Sequence, residues 1–135
     1  MKAVESRPLP ELLYRRWWLA GGFLLLITIL ILFLIPLSGF IETPPYSDKV
    51  LHGLTFGVLM LWFSGLVHAR HYRRLFMSLL IYGAVIEMLQ PLTGYRTMEL
   101  ADFLADAIGL LLGWALAHNY LGDWCEALEN RFSSP

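Results

Sequence analysis

The chain has 135 residues, room for one domain, and 57% of them are hydrophobic against 16% charged, well below the roughly one-quarter charge of a soluble domain. The charges are bunched between apolar runs too uniform to leave the polar face that a soluble helix needs. A formal net charge of −1 gives no basic field to suggest a nucleic-acid partner, and the single cysteine, Cys125, excludes an intrachain disulfide.

Crossing about 30 Å of hydrocarbon takes about 20 helical residues, and four segments meet that need in chain order. The first is Trp17–Pro36, uncharged throughout and preceded by Lys2, Arg7, Arg15 and Arg16. Basic residues before an apolar run also mark a secretory signal. This run outlasts a signal core of about 7–15 residues and reaches Pro36 with no small-residue cleavage site, so it is expected to remain as a membrane helix. The second segment is about Val50–His68. The third is about Leu75–Leu92, interrupted by Glu87 and Gln90, and the fourth is about Leu100–Leu121, carrying Asp102 and Asp106. The expected fold class is all-α: an integral membrane bundle of four transmembrane helices with short outer loops. Residues 1–16 would form a cytoplasmic N-terminal segment, 17–121 the bundle, and 122–135 a cytoplasmic tail.

Orientation follows from the basic residues, which stay on the cytoplasmic side. Lys2, Arg7, Arg15 and Arg16 precede the first helix, Arg70, Arg73 and Arg74 lie between the second and third, and Arg131 follows the fourth. The opposite loops hold only Lys49 and Arg96, so both termini are expected inside. Trp17, Trp18, Tyr72, Tyr120 and Trp124 would mark the inner interface, and Tyr46 and Tyr95 the outer one. The outer loop from Ser38 to Lys49 is stiffened by Pro44-Pro45, and the loop from Thr93 to Glu99 contains Gly94 as a helix stop. In the tail, Trp124, Leu128 and Phe132 recur at four-residue spacing, which predicts a short helix on the inner surface.

The remaining polar residues fall at one depth. Asp48, Lys49 and His52 open the second segment at its outer end, Glu87 and Gln90 close the third there, Arg96 lies in the following loop, and Glu99, Asp102 and Asp106 open the fourth. Glu87 and Asp106 would lie about 8–9 Å inside the outer ends of their helices. A charge facing lipid at the bilayer centre costs about 2.5–3.5 kcal/mol and less nearer the surface, so these groups are expected to converge inside the bundle. The pairs Asp48/His52 and Asp102/Asp106 are four residues apart, and Glu87/Gln90 three, so each pair shares a helix face. The Asp102/Asp106 stripe continues into Gly109 and Gly113, a GxxxG element that lets another helix, or a second copy of the chain, approach closely.

Each of these features also has a structural reading. Buried acid–base pairs hold helices together without further function, Gln90 suits a helix–helix hydrogen bond, His52 a packed neutral ring, and Glu99 a first-turn acid favoured by the helix dipole. The basic stretch Arg70–Arg74 reads as a topology anchor. Asp106, well inside the membrane on a packing seam, is the hardest to account for structurally. The cluster is predominantly acidic, which predicts a retained proton or a bound cation.

Asp48-Lys49-x-x-His52, then Glu87-x-x-Gln90, then Arg96, then Asp102 with Gly109 and Gly113, resembles the pattern of the VanZ-like family. The resemblance covers about Ser47 to Trp114 and departs at Asp106, where the family pattern often has asparagine. The site is thereby more acidic, which weighs against a role for a neutral amide there. The family takes its name from a protein associated with low-level resistance to the glycopeptide teicoplanin. The resemblance implies a bacterial inner-membrane protein with a cell-envelope role, and it implies no reaction.

Two functional readings follow. In the first, the outward cluster of Asp48, Lys49, His52, Glu87, Gln90, Arg96, Asp102 and Asp106 binds a membrane lipid or a lipid-linked cell-wall precursor, with Arg96 facing phosphate through its bidentate fork. In the second, an enzyme acts on such a lipid, with His52 and Glu87 as acid–base candidates and Arg96 stabilising an anion. Ser47 and Thr93 are the available hydroxyl nucleophiles, and neither lies in a catalytic motif. The sequence requires no cofactor, although Asp102, Asp106, Glu87 and His52 form a chemically reasonable set for a divalent cation.

Overall fold

The computed structural model describes residues 12–36 and 46–133. Lys2, Arg7 and the Pro44-Pro45 crossing lie outside the described residues. The described chain is all-helical: α1 (Arg15–Leu34), α2 (Ser47–Ser64), α3 (Tyr72–Leu89), α4 (Leu100–Leu116) and α5 (Trp124–Ser133). A 3-10 turn, Ala69–His71, leads into α3, and a π-helical turn, Ala117–Leu121, extends α4. Pro91, which has no N–H to continue the ladder, lies in the 3-10 turn Gln90–Thr93 that follows α3. Gly94 closes that turn in the left-handed region (φ 81°), donating its N–H to the Pro91 carbonyl at 3.2 Å.

Among the described residues, three stretches are long and apolar enough to cross a membrane: Arg15–Leu34, Ala69–Thr93 and Leu100–Leu121. Large apolar side chains face outward along them, among them Phe23, Leu24, Ile81, Met88, Ile108 and Leu112. That surface marks the chain as a membrane protein. Helix α2 is not among the three stretches, because Asp48, Lys49 and His52 occupy its first two turns. Its outer face is nevertheless apolar and exposed, through Val50, Leu51, Leu54 and Val58.

Helices α2 and α4 run in the same direction, with α1 and α3 antiparallel to them, and among the described residues α2 and α4 make the closest backbone approach. Gly53 and Gly57 of α2 face Gly109 and Gly113 of α4. A Cβ added at Gly109 would lie 2.0 Å from the Gly53 carbonyl oxygen, and one at Gly113 2.6 Å from that of Gly57. Between apolar helices in hydrocarbon there is little hydrophobic force, so backbone approach at small residues supplies much of the attraction. The Gly109/Gly113 face expected to receive another helix or a second copy is filled by α2 of the same chain. Around this seam Phe56, Leu59, Met60, Leu79, Ile86 and Leu110 form the buried core.

One end of the bundle is built from aromatics. Trp18, Trp62 and Trp124 meet with ring centroids 5.2–5.9 Å apart. The tail helix α5 is docked here: Cys125 is fully buried, and Glu129 reaches back to the start of α1. The Glu129 carboxylate accepts the Leu13 N–H (2.7 Å), the Tyr14 N–H (3.0 Å) and the Trp18 indole N–H (2.7 Å). It thereby satisfies the N–H of the N-cap residue Tyr14 and of Leu13 before it, neither of which has an intrahelical partner. Burial works to raise the Glu129 carboxyl, but these three hydrogen bonds outweigh it and hold the group below the ordinary carboxylate range.

Candidate functional site

The opposite end of the bundle gathers the polar residues from α2, α3 and α4, roofed by the last turns of α1. His52, Glu87, Asp102 and Asp106 are all buried, none with a side chain more than 3% exposed. Local geometry explains the convergence. Helix α4 carries Asp102 and Asp106 one turn apart on the stripe that continues into the glycine seam, so the packing that joins α2 to α4 also brings both aspartates toward His52. Gly83, one turn before Glu87, gives α3 room to pass the Asp106 carboxylate, which would lie 2.9 Å from any added Cβ. Phe33 of α1 stacks on the His52 ring, with centroids 4.3 Å apart and planes 18° apart, and closes the site on that side.

The cluster divides into two parts that share Asp102. In the outer part, Lys49 Nζ lies 3.0 Å from Asp48, 2.8 Å from Glu99 and 2.8 Å from Asp102 Oδ1. One ammonium thus joins the first turn of α2 to the start of α4, and all three of its donors have acceptors. In the inner part, His52 Nδ1 pairs with Asp106 Oδ1 at 2.9 Å. Glu87 Oε1 lies 3.8 Å from the same ring nitrogen, and Asp102 Oδ2 lies 3.8 Å from His52 Nε2. The other Glu87 oxygen accepts the Glu99 N–H at 3.2 Å, which ties the end of α3 to the N-cap of α4. Glu99 is therefore more than a dipole-favoured acid: it is the N-cap residue and a Lys49 partner.

The inner part is not internally satisfied. His52 Nε2, Glu87 Oε1, Gln90 Oε1 and Asp106 Oδ2 are buried with no hydrogen-bond partner among the described residues. An unsatisfied buried polar group costs about 1–3 kcal/mol, and more when charged. Among the described residues, two groups offer ligand atoms within 4.8 Å of one another that could hold a metal ion: His52, Glu87 and Asp102, and Asp48, Glu99 and Asp102. The second already surrounds the Lys49 ammonium.

The remaining candidates separate in the same terms. Gln90 is buried and donates to the Phe33 carbonyl at 3.4 Å, the helix–helix role expected for it. Arg96 is half-buried in the segment before α4, and its guanidinium has no ion-pair partner among the described residues. The Thr93 hydroxyl donates to the Gln90 carbonyl at 2.6 Å and closes the 3-10 turn, so its proton is already engaged. Sequence reasoning did not identify Phe33 as a wall of the site. Its only signal was its position near the outer end of the first apolar run, level with the polar groups. Compared with known protein families, curated proteins and solved structures, the chain has no match.

Proposed function

We propose that the chain is a bacterial inner-membrane protein of the VanZ-like type that binds or modulates a cell-envelope lipid or lipid-linked wall precursor at its polar cluster. In this reading it crosses the membrane four times, with both termini cytoplasmic and the cluster near the outer leaflet. The single observation that carries the reading is the inner group. Three carboxylates and a histidine from three helices are buried together with acceptor atoms left unpartnered, an arrangement worse for stability than a well-packed apolar one. Support for α2 as a fourth span comes from its exposed apolar face and from its packing along α4. Support for the orientation comes from Arg15, Arg16, Arg70, Arg73 and Arg74, all at the bundle end away from the cluster.

The cluster's chemistry narrows the ligand. Lys49 has spent its donors on three carboxylates, so the buried site offers acceptors to a ligand and takes its cationic part. An anionic phosphate would be met at the rim by Arg96. A zwitterionic or cation-accompanied headgroup suits both. The Lys49 part has a second, structural reading, favoured by its complete set of ion pairs: it clamps α2 to α4 whatever the inner group does.

The test is lipid analysis of the protein purified from native membranes. A specific phospholipid or polyprenyl-linked species should accompany the wild type and be lost from Glu87→Ala at equal protein yield. Lipid profiles identical to bulk membrane in both proteins would refute the reading.

A further inference from the structure

Asp102 Oδ2 and His52 Nε2 face each other at 3.8 Å inside the bundle. The opposite ring nitrogen, Nδ1, is engaged by Asp106 Oδ1 at 2.9 Å. When Nδ1 carries the proton and donates it to Asp106, Nε2 presents a lone pair toward a carboxylate oxygen, and two acceptors are aimed at one another. A positive centre between them removes the conflict. Glu87 Oε1, also buried and unpartnered among the described residues, lies 3.8 Å from the ring on the side of Nδ1.

We infer that His52, Glu87 and Asp102 form a binding site for one divalent transition-metal ion of the zinc class, with Asp106 as the residue that orients the histidine. The inference rests on the reading of the cluster as a ligand site and names the ion that the site takes. The donor set is one imidazole nitrogen and two carboxylate oxygens. The nitrogen favours a transition metal over magnesium or calcium, which are held by oxygen ligands. Metal–ligand distances of about 2.0–2.2 Å put neighbouring donors of a tetrahedral site about 3.3 Å apart, so the 3.8 Å between Nε2 and Asp102 Oδ2 needs to close by about half an ångström, and Glu87 Oε1, 3.8 Å from Nδ1, needs to swing along the ring edge toward Nε2. All three residues sit on different helices, α2, α3 and α4, and their ligand atoms already lie within 4.8 Å of one another. The Asp106–His52 pair is the carboxylate–histidine arrangement that fixes the tautomer and ring orientation of a metal-bound imidazole. With three protein ligands, a fourth position stays open to water or to a phosphate oxygen, which would let the ion bridge an acidic site to an anionic headgroup.

Glu87 and Asp102 also contact neighbours through their other oxygens, Oε2 to the Glu99 N–H and Oδ1 to Lys49. Each therefore keeps one oxygen for the ion while the other holds the carboxylate in place. Lys49 is the built-in cation of the outer group, which is why the outer trio of Asp48, Glu99 and Asp102 is not the metal site.

The experiment is equilibrium dialysis of the tag-free full chain in detergent against chelator-buffered Zn2+, with metal per chain read by elemental analysis. One Zn2+ per wild-type chain is expected. His52→Gln, Glu87→Gln and Asp102→Asn should each abolish it, Asp106→Asn should weaken binding about 10- to 100-fold, and the exposed Glu126→Gln should leave it unchanged. Helical circular dichroism and monodisperse elution qualify each variant. For any variant that fails to fold, Co2+ absorption of the wild type decides: ligand-field bands of a low-symmetry nitrogen–oxygen site, displaced by Zn2+, support the inference, and the spectrum of aqueous Co2+ overturns it. Absence of Zn2+ above the detergent blank, or full stoichiometry retained in both His52→Gln and Glu87→Gln, also overturns it. Lipid extracted from the same samples separates the two proposals. Lipid held by metal-free protein sinks the metal and leaves the lipid reading, whereas metal held without lipid does the reverse.

Discussion

The glycine seam makes a graded prediction. Adding a methyl group at Gly109 places a Cβ 2.0 Å from the Gly53 carbonyl oxygen, 2.7 Å from its carbon and 2.9 Å from its Cα. All three are backbone atoms of a helix and cannot rotate away. Restoring ordinary contact requires α2 and α4 to part by roughly 1.5 Å. The His52–Asp106 pair at 2.9 Å and the Lys49–Asp102 pair at 2.8 Å cross the same interface, so a shift of that size breaks both as direct hydrogen bonds. Overpacking alone costs about 1–3 kcal/mol, and the lost polar contacts put Gly109→Ala at or above about 3 kcal/mol. Gly113→Ala, with its nearest contact at 2.6 Å, should follow. At Gly57 and Gly53 the nearest contacts are 3.2 and 3.3 Å, a strain of a few tenths of an ångström. There the gain of about 1 kcal/mol from replacing glycine by alanine within a helix should leave stability within about 1 kcal/mol of the wild type. The assay is unfolding of the purified protein in mixed micelles, monitored by tryptophan fluorescence. Equal midpoints for Gly109→Ala and Gly53→Ala would refute the intramolecular seam.

Three further outcomes are expected. Lys49→Met leaves Asp102 buried without its cation and should cost about 2–3 kcal/mol, less than the roughly 3–5 kcal/mol of a wholly buried pair because Lys49 keeps 24% of its side-chain exposure; adding Asp102→Asn should recover part of the loss. Glu129 has its carboxyl held below the ordinary value, so its contribution to stability is fully present above about pH 4.5, its reference value, and fades as pH falls through the lower folded value; Trp18 fluorescence should report this release on acidification, and Glu129→Gln should remove the pH dependence. Cys125 is fully buried and its thiol is pushed up to about 12 by burial and then by the Glu129 carboxylate, so maleimide should spare the native protein on either side of the membrane; topology is better read from the exposed Glu126→Cys in a Cys125→Ser background, which should be labelled in inverted vesicles and spared in intact spheroplasts.

Much of this arrangement is legible in the sequence, and the parts that are not have identifiable causes. Apolar runs of about twenty residues, broken only by Glu87 in the third and by Asp102 and Asp106 in the fourth, mark the helices, and Pro91 and Gly94 mark the break after the third. The common depth of Asp48, Glu87 and Asp102 is legible because helical rise converts sequence position into height. The facing of Asp106 is legible because it shares a stripe with Gly109 and Gly113. The partner of that stripe is harder to read. Gly53 and Gly57 have the same spacing, but a hydrophobic helix gives no polar face from which to tell that its glycines point inward. Glu129 shows the larger limit. The four-residue spacing of Trp124, Leu128 and Phe132 predicts a surface helix, whereas Glu129 closes a contact with Leu13, Tyr14 and Trp18 more than a hundred positions away, and no local period encodes such a contact. Lys49 and Arg96 are the two cations near the cluster, and the sequence alone does not tell that the carboxylates surround Lys49.

An inner cluster that acts on a ligand and one that only braces the helices differ in what their substitutions do. The most direct measurement sets membrane abundance by immunoblot beside glycopeptide or other envelope-stress sensitivity for Glu87→Gln, His52→Ala and Arg96→Lys. Glu87→Gln keeps shape and removes the charge. Arg96→Lys keeps the charge, removes the bidentate fork and disturbs no ion pair among the described residues. For a ligand site, activity should collapse in all three, with abundance near wild type for Glu87→Gln and Arg96→Lys. Sensitivity that simply follows abundance across the series, with Arg96→Lys fully active, would contradict it.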